Sequence, residues 1–218
     1  PNRPARDPAG RRSVAQAGVE RPGTSDEAVL QWFRQQRKGG LAGVAVKLNL
    51  YTIEHELGGI VAGASLHSDC NAPKAADPIL FGVGDHRYYD NIVYVAASRH
   101  LEESKDKIKR YLSQNPGLTF SCVCIGTPPA FCLEAKNCDV VWTDGQESRR
   151  RTFNAVQRVF QHFNAWEREL GAVIDRGGEL ADLVNASLKV FRNDLCITDP
   201  FSRVLVHRVF RHERFTRE

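Results

Sequence analysis

NIVYVAASRHLEESKDKIKRYLSQNPGLTFSCVCIGTPPAFCLEAKNCDVVWTD, residues 91–144, alternates apolar runs with amphipathic ones, and its reading decides the fold. NIVYVAA (91–97), LTFSCVCIG (118–126) and CDVVWTD (138–144) are short apolar runs rich in β-branched and aromatic residues, the text of strands covered on both faces. Between the first two, residues 99–115 set Leu101, Ile108, Tyr111 and Leu112 on an apolar helical face. Glu103/Lys107 and Asp106/Arg110 are paired four residues apart on the same segment. Asn115-Pro116-Gly117 stops that helix, and Thr127-Pro128 suits the N-cap and first position of a short helix ending near Lys136. The order β-α-β-α-β predicts an α/β protein: a small parallel or mixed sheet with right-handed crossover helices.

In such a sheet ligands bind beyond the carboxyl ends of the strands, here at Ser98, Thr127 and Asp144. Two readings of these residues stand side by side. They are pocket groups, or they are helix N-caps, which are needed at these places whether or not anything binds; Asp144 with Glu147 even fits a capping box.

Working outward toward the N-terminus, residues 44–57 (VAVKLNLYTIEHEL) read as a strand or a strand-to-helix passage that Gly58-Gly59 ends. IVAGASLHSDC (60–70) and PILFGVGD (78–85) read as short strands punctuated by glycine. Gly82-x-Gly84 is a turn in this reading rather than a phosphate loop, because strand text and not a helix follows it. An α/β domain over 44–145 results. Residues 1–43 hold one apolar cluster, Val29-Leu30 with Trp32-Phe33, among Pro, Arg, Gly and Ala, and are expected to be disordered or a leader, with a native start near Val44.

Outward in the other direction, the charged start DGQESRRR (144–151) opens a long helix expected from about Gln146 to Ile174. Its apolar residues Phe153, Val156, Phe160, Phe163, Trp166, Leu170 and Val173 keep a spacing close to 3.5, that of a helix seam. This seam packs on the adjacent sheet or joins two copies in a homodimer, which makes 146–176 a linker and dimerisation helix. After Gly177-Gly178, ELADLVNASLKVF (179–191) is a second helix closed by Arg192-Asn193. LCITD and RVLVH then form a hairpin around Asp199-Pro200-Phe201-Ser202.

Charge locates no nucleic-acid surface. Residues 1–43 carry eight Arg/Lys against four Asp/Glu, the whole net +4, while residues 44–218 balance at 22 of each. The six cysteines lie mostly in apolar strand text, as reduced cytosolic thiols do. The spacing of Cys122, Cys124, Cys132 and Cys138 lacks the paired C-x2-C knuckles of structural zinc, so neither a metal nor a cofactor is expected. No apolar run is long enough to span a membrane, the N-terminus lacks a secretory core, and a cytoplasmic location is the expectation. Nucleophile-elbow, Walker-loop and paired His/carboxylate motifs are missing from the sequence.

GGELADLVNASLKVF (177–191) followed by NDLCITDPFSRVLVH (193–207) resembles the junction of bacterial transcription regulators of the PucR/CdaR type, the purine-catabolism and sugar-diacid regulators. NIVYVAASRHL (91–101), CVCIGTPP (122–129) and FNAVQRVFQHFNAWERELGAVI (153–174) are similar to the upstream strand, turn and linker helix of one branch of that family. The resemblance implies that 177–218 begin an incomplete PAS- or GAF-like module. It also implies a small-molecule effector, and DNA contact only through a helix-turn-helix domain absent from this chain. The alternative is a small cytosolic α/β enzyme with its site at the strand ends.

Overall fold

The computed structural model describes residues 46–82 and 87–210. The segment expected to be disordered or a leader, residues 1–43, and the second glycine of the Gly82-x-Gly84 turn lie outside the described residues, as do residues 211–218. Chain order is α1 (Leu50–Leu57), β1 (Val61–Ser65), β2 (Asp77–Leu80), β3 (Ile92–Ala97), α2 (Ser98–Glu103) and α3 (Lys105–Gln114). There follow β4 (Phe120–Ile125), α4 (Ala130–Glu134), β5 (Cys138–Thr143), α5 (Arg149–Asp175), α6 (Leu180–Phe191), β6 (Leu195–Thr198) and β7 (Val204–Arg208).

Strands β2, β3, β4 and β5 lie side by side and parallel, and β1 adds antiparallel to β5, which makes a mixed five-stranded sheet in the order β1-β5-β4-β3-β2. The expected α/β class is what the chain adopts. Alternation along each strand sorts the side chains into two cores. Val93, Val95, Val123 and Val141 face α1 and the first half of α5, whose Val156, Phe160 and Phe163 fill the space above them. Tyr94, Ala96, Cys122, Cys124, Cys138 and Val140 face the other way, onto Leu101, Ile108 and Leu112 of α2–α3 and Phe131 and Cys132 of α4.

Local chemistry explains the boundaries. Asn49 caps α1 by accepting from the Thr52 amide, and Gly58 at φ 50° ends it, so residues 50–57 are a helix, preceded by the bridge from Leu48 to Ala75. At the bulge of β1, Gly63 lies against the Trp142 indole, where a Cβ would stand 2.3 Å from the ring. The single helix expected over 99–115 is instead two, separated at Ser104, because the Ser104 backbone at φ −101°, ψ 7° leaves helical geometry.

The proposed seam of α5 is divided between two neighbours. Val156, Phe160 and Phe163 are buried on the sheet, with Phe153 and Trp166 packed at their edge. Val173 is buried farther along, beside Leu170, against Leu180, Leu183 and Val184 of α6 and Val206 of β7. The seam is therefore shared within one chain between the sheet and α6, with Phe153, Trp166 and Leu170 only half-buried, because 3.5-residue spacing on a 27-residue helix serves a sheet and a helix in succession. α6 carries a reciprocal capping box, Glu179 with Asp182, and ends at Arg192 in the left-handed region at φ 51°. The β6–β7 hairpin rests on α5 and α6 through Leu195, Ile197, Leu205 and Val206.

Candidate functional site at the carboxyl edge of the sheet

Register places Ala97 opposite Ile125 and Ile125 opposite Thr143, so β3, β4 and β5 end level, with neighbouring strands about 4.8 Å apart. The connections then part. Those leaving β3 and β4 lead to α2, α3 and α4 on one face, whereas that leaving β5 leads to α5 on the other. Such a divergence is where open α/β sheets form ligand crevices. Beyond β4 and β5 the backbones of Gly126 and Gly145, at φ 84° and 85°, come close: a Cβ on Gly145 would stand 3.3 Å from the Gly126 Cα. The Gly126 amide donates to the Thr143 carbonyl (3.2 Å) and joins the two strand ends.

All three residues singled out from the sequence stand at this edge, and none is a helix N-cap. Ser98 is half-buried as the first residue of α2, whose cap position is Ala97. Thr127 is exposed, and Pro129 holds the cap position of α4. Asp144 Oδ1 accepts from the Gln146 amide (2.9 Å), which turns the chain through Gly145 before a helix can start. Ser148 is the cap of α5, its Oγ accepting from the Arg151 amide (3.3 Å), so the Asp144–Glu147 capping box does not form.

The charged chemistry of the edge comes from residues that the sequence reading passed over. His100, 9 % exposed, has Arg149 Nη1 at 3.3 Å from Nδ1 and Arg99 Nε at 3.4 Å from Nε2. A neutral imidazole offers a single acceptor nitrogen, so only one of the two guanidiniums is satisfied by the ring at a time. Burial first, then Arg149 and Arg99, holds the His100 pKa below its ordinary 6.5 against the opposing pull of Glu103, and the ring is neutral at pH 7. Among the described residues neither guanidinium has a carboxylate in salt-bridge range, and Arg149 stands at the positive end of the α5 dipole. Thr143 Oγ1, wholly buried at the same edge, has no hydrogen-bond partner among the described residues. The signal was present in the sequence: Arg99-His100 directly after a strand, and Arg149 opening a triple-arginine helix start.

Cys122, Cys124, Cys132 and Cys138 gather in the α2–α4 core, fully buried. Burial raises the Cys122 and Cys124 thiols, the latter to about 12, and the hydrogen bond with Cys132 raises Cys138. Among the described residues no group of His, Cys, Asp or Glu is placed to hold a metal ion, and no helix is long and apolar enough to cross a membrane. No family model, no curated protein and no solved structure matches the chain.

Proposed function

We propose that this chain is the signal-sensing and relay portion of a regulatory protein of the PucR/CdaR kind, and that an anionic small molecule at the carboxyl edge is its effector. The observation that carries the reading is the contact of Arg149 with His100, because Arg149 belongs at once to the edge and to the first turn of α5. A carboxylate or phosphate offers two guanidiniums more acceptor capacity than one neutral imidazole does. Arg99 and Arg149 turn from His100 to such a ligand, while Ser98, Thr127 and Asp144 line the approach. α5 is rigid over 27 residues, about 40 Å, and its second half carries α6 and the hairpin, so a shift at its first turn reaches that module.

In this reading DNA is reached only through a helix-turn-helix domain outside the chain, and a homodimer uses the parts of α5 or α6 that the sheet and the hairpin leave open. The test is a thermal-shift screen with sugar acids, nucleotides and uncharged purines on the full chain, on Arg99→Ala and on Arg149→Ala. The expected result is saturable stabilisation by anionic compounds alone, without turnover. Loss of one charge-assisted contact, about 1.5–3 kcal/mol, weakens that binding roughly ten- to hundredfold in either variant. Equal stabilisation of the variants, or no stabilisation by any anion, overturns the reading. Turnover of a stabilising compound replaces it with a small α/β enzyme working at the same edge.

A further inference from the structure

Arg99-His100 follows the end of β3, and Arg149-Arg150-Arg151 opens α5 after its Ser148 cap. Folding brings a member of each run onto one ring, with Arg149 Nη1 at 3.3 Å from His100 Nδ1 and Arg99 Nε at 3.4 Å from Nε2. A guanidinium has donors and no acceptor, so both ring nitrogens are approached by donors. A protonated imidazole donates at both nitrogens and is incompatible with that setting. The ring is therefore neutral in this arrangement by geometry, and burial acts in the same direction.

The charged groups that act on the ring are Arg149 from α5 and Arg99 and Glu103 from its own helix, while Asp144 at the same edge accepts from the Gln146 amide. Two positive charges thus oppose one negative charge. An anion held by Arg99 and Arg149 reverses each part of this balance. It draws both guanidiniums off the ring nitrogens, and it places negative charge beside a buried side chain, where screening by salt is weak. Taking a proton from solvent then turns His100 from the acceptor of a guanidinium into a third cation with an N–H to donate.

We infer that the effector is a dianion and that its binding is coupled to protonation of His100, an inference that rests on the effector reading of the carboxyl edge. Three cations in place of two favour a dianion over a monoanion. The coupling is reciprocal: the anion strengthens the hold of His100 on a proton, and acid strengthens the hold of the edge on the anion by the same factor. Because the ring is harder to protonate between the two guanidiniums than beside the anion, binding tightens as pH falls through the anion-bound ring's midpoint. It levels off below the midpoint of the ring held between the guanidiniums, which lies under 6.5. The first turn of α5 then answers to effector and acidity together, since Arg149 leaves the ring in either case.

The test uses the full chain at constant ionic strength, with sulfate and tartrate as probes whose charge is steady from pH 5.5 to 8, and lactate as a monoanion. Calorimetry is expected to show both dianions binding about fivefold or more tighter at pH 5.5 than at pH 8, and lactate binding about tenfold or more weakly than either at pH 5.5. At pH 7, buffers of different ionisation enthalpy should reveal net proton uptake on binding, a measurement on the wild-type chain that needs no variant. With carbon-13 histidine, the His100 resonance, identified by its loss in His100→Gln, should titrate at higher pH with saturating sulfate than without it. His100→Gln keeps an acceptor for a guanidinium but takes no proton, so its binding should not vary with pH. Arg149→Ala separates the two levels of the argument. If the wild-type chain binds neither dianion, or Arg149→Ala binds them as well as wild type does, the effector reading falls and this inference falls with it. If binding needs Arg149 but takes up no proton, keeps its pH dependence in His100→Gln, or is as tight for lactate, the effector reading stands and this inference is overturned.

Discussion

The sheet and the C-terminal helix–hairpin module share one helix and differ in how completely they close. In the sheet, Val93, Val95, Val123 and Val141 on one face and Ala96, Cys122, Cys124 and Val140 on the other are all 0 % exposed, each face under its own helices. In the module the buried set is small, Val206 is the only buried apolar side chain of the hairpin, and Phe201 and Val204 are both 61 % exposed. The same side-chain types therefore yield a closed core where two layers cover a sheet, and an open groove where one helix pair covers two strands. α5 spans both conditions. Its first half is cemented into the sheet core, and its second half is the main support of the module.

Two truncations should break this contrast in opposite ways. Phe160→Ala, at a site 3 % exposed on the sheet, is expected to cost about 3–5 kcal/mol. That is a large part of the stability of an ordinary domain, and urea unfolding should show both regions losing structure together. Leu183→Ala, at a site 6 % exposed in the module, is expected to cost about 2–3 kcal/mol and to release α6 and the hairpin while the sheet stays protected in hydrogen exchange. If Leu183→Ala opens the sheet as fully as Phe160→Ala does, the two regions are one cooperative unit and the contrast fails.

A smaller effect sharpens the comparison within the sheet. Asp139, 1 % exposed at the amino end of β5, accepts from the amides of His67 (2.7 Å) and Ser68 (3.2 Å) and from the Ser68 hydroxyl, and so ties down the connection that leaves β1. Asp139→Asn replaces an acceptor-only carboxylate with an amide that presents donors to donors, at an expected cost of about 1.5–3 kcal/mol. The His67 and Ser68 amides should exchange faster, and the Val206 amide in the module should not. A change at Val206 of the same size would show that strain at the amino end of the sheet travels along α5.

How far the sequence foretold all this follows from the kind of interaction at each place. β3, β4 and β5 were legible to within two residues because continuous runs such as Val93-Tyr94-Val95 and Cys138-Asp139-Val140-Val141 have no other stable use than strands covered on both faces. The antiparallel pairing of β1 with β5 was not legible, since it depends on Gly63 fitting under Trp142, a contact between residues far apart in the chain. The carboxyl edge was located from the strand order alone, but its helix caps were misplaced. The sequence shows Asp144 before a helix, and only the backbone of Gly145 reveals that Ser148 does the capping. His100 and Arg149 are 49 residues apart, and what brings them together is the return of α5 across the edge, which no local pattern records.

The smallest expected effect separates the two regions by acidity. Asp199, 5 % exposed in the hairpin turn, accepts from the amides of Arg203 (2.9 Å) and Phe201 (2.8 Å) and from Arg203 Nε (2.7 Å). The Arg203 amide foremost, then the Arg203 side chain and the Phe201 amide, hold its pKa below the ordinary 3.8 against the effect of burial. Because the folded value lies under the unfolded one, the carboxylate contributes stability that is fully present above about pH 3.8 and is lost as pH falls through the folded value. Acidification from pH 6 toward 3 should therefore lower the protection of Val206 and Leu205 in the wild-type hairpin, taken as the ratio of the intrinsic to the observed exchange rate at each pH. Asp199→Asn has no such carboxylate to protonate: its hairpin should already exchange faster at pH 6, and the difference from wild type should close as pH falls. Arg203 is largely solvated in this pair, which keeps the effect below those at Phe160, Leu183 and Asp139. A hairpin whose acid dependence is identical with and without the Asp199 carboxylate would mean that the turn is held by the β6–β7 ladder and by its packing on α6 alone.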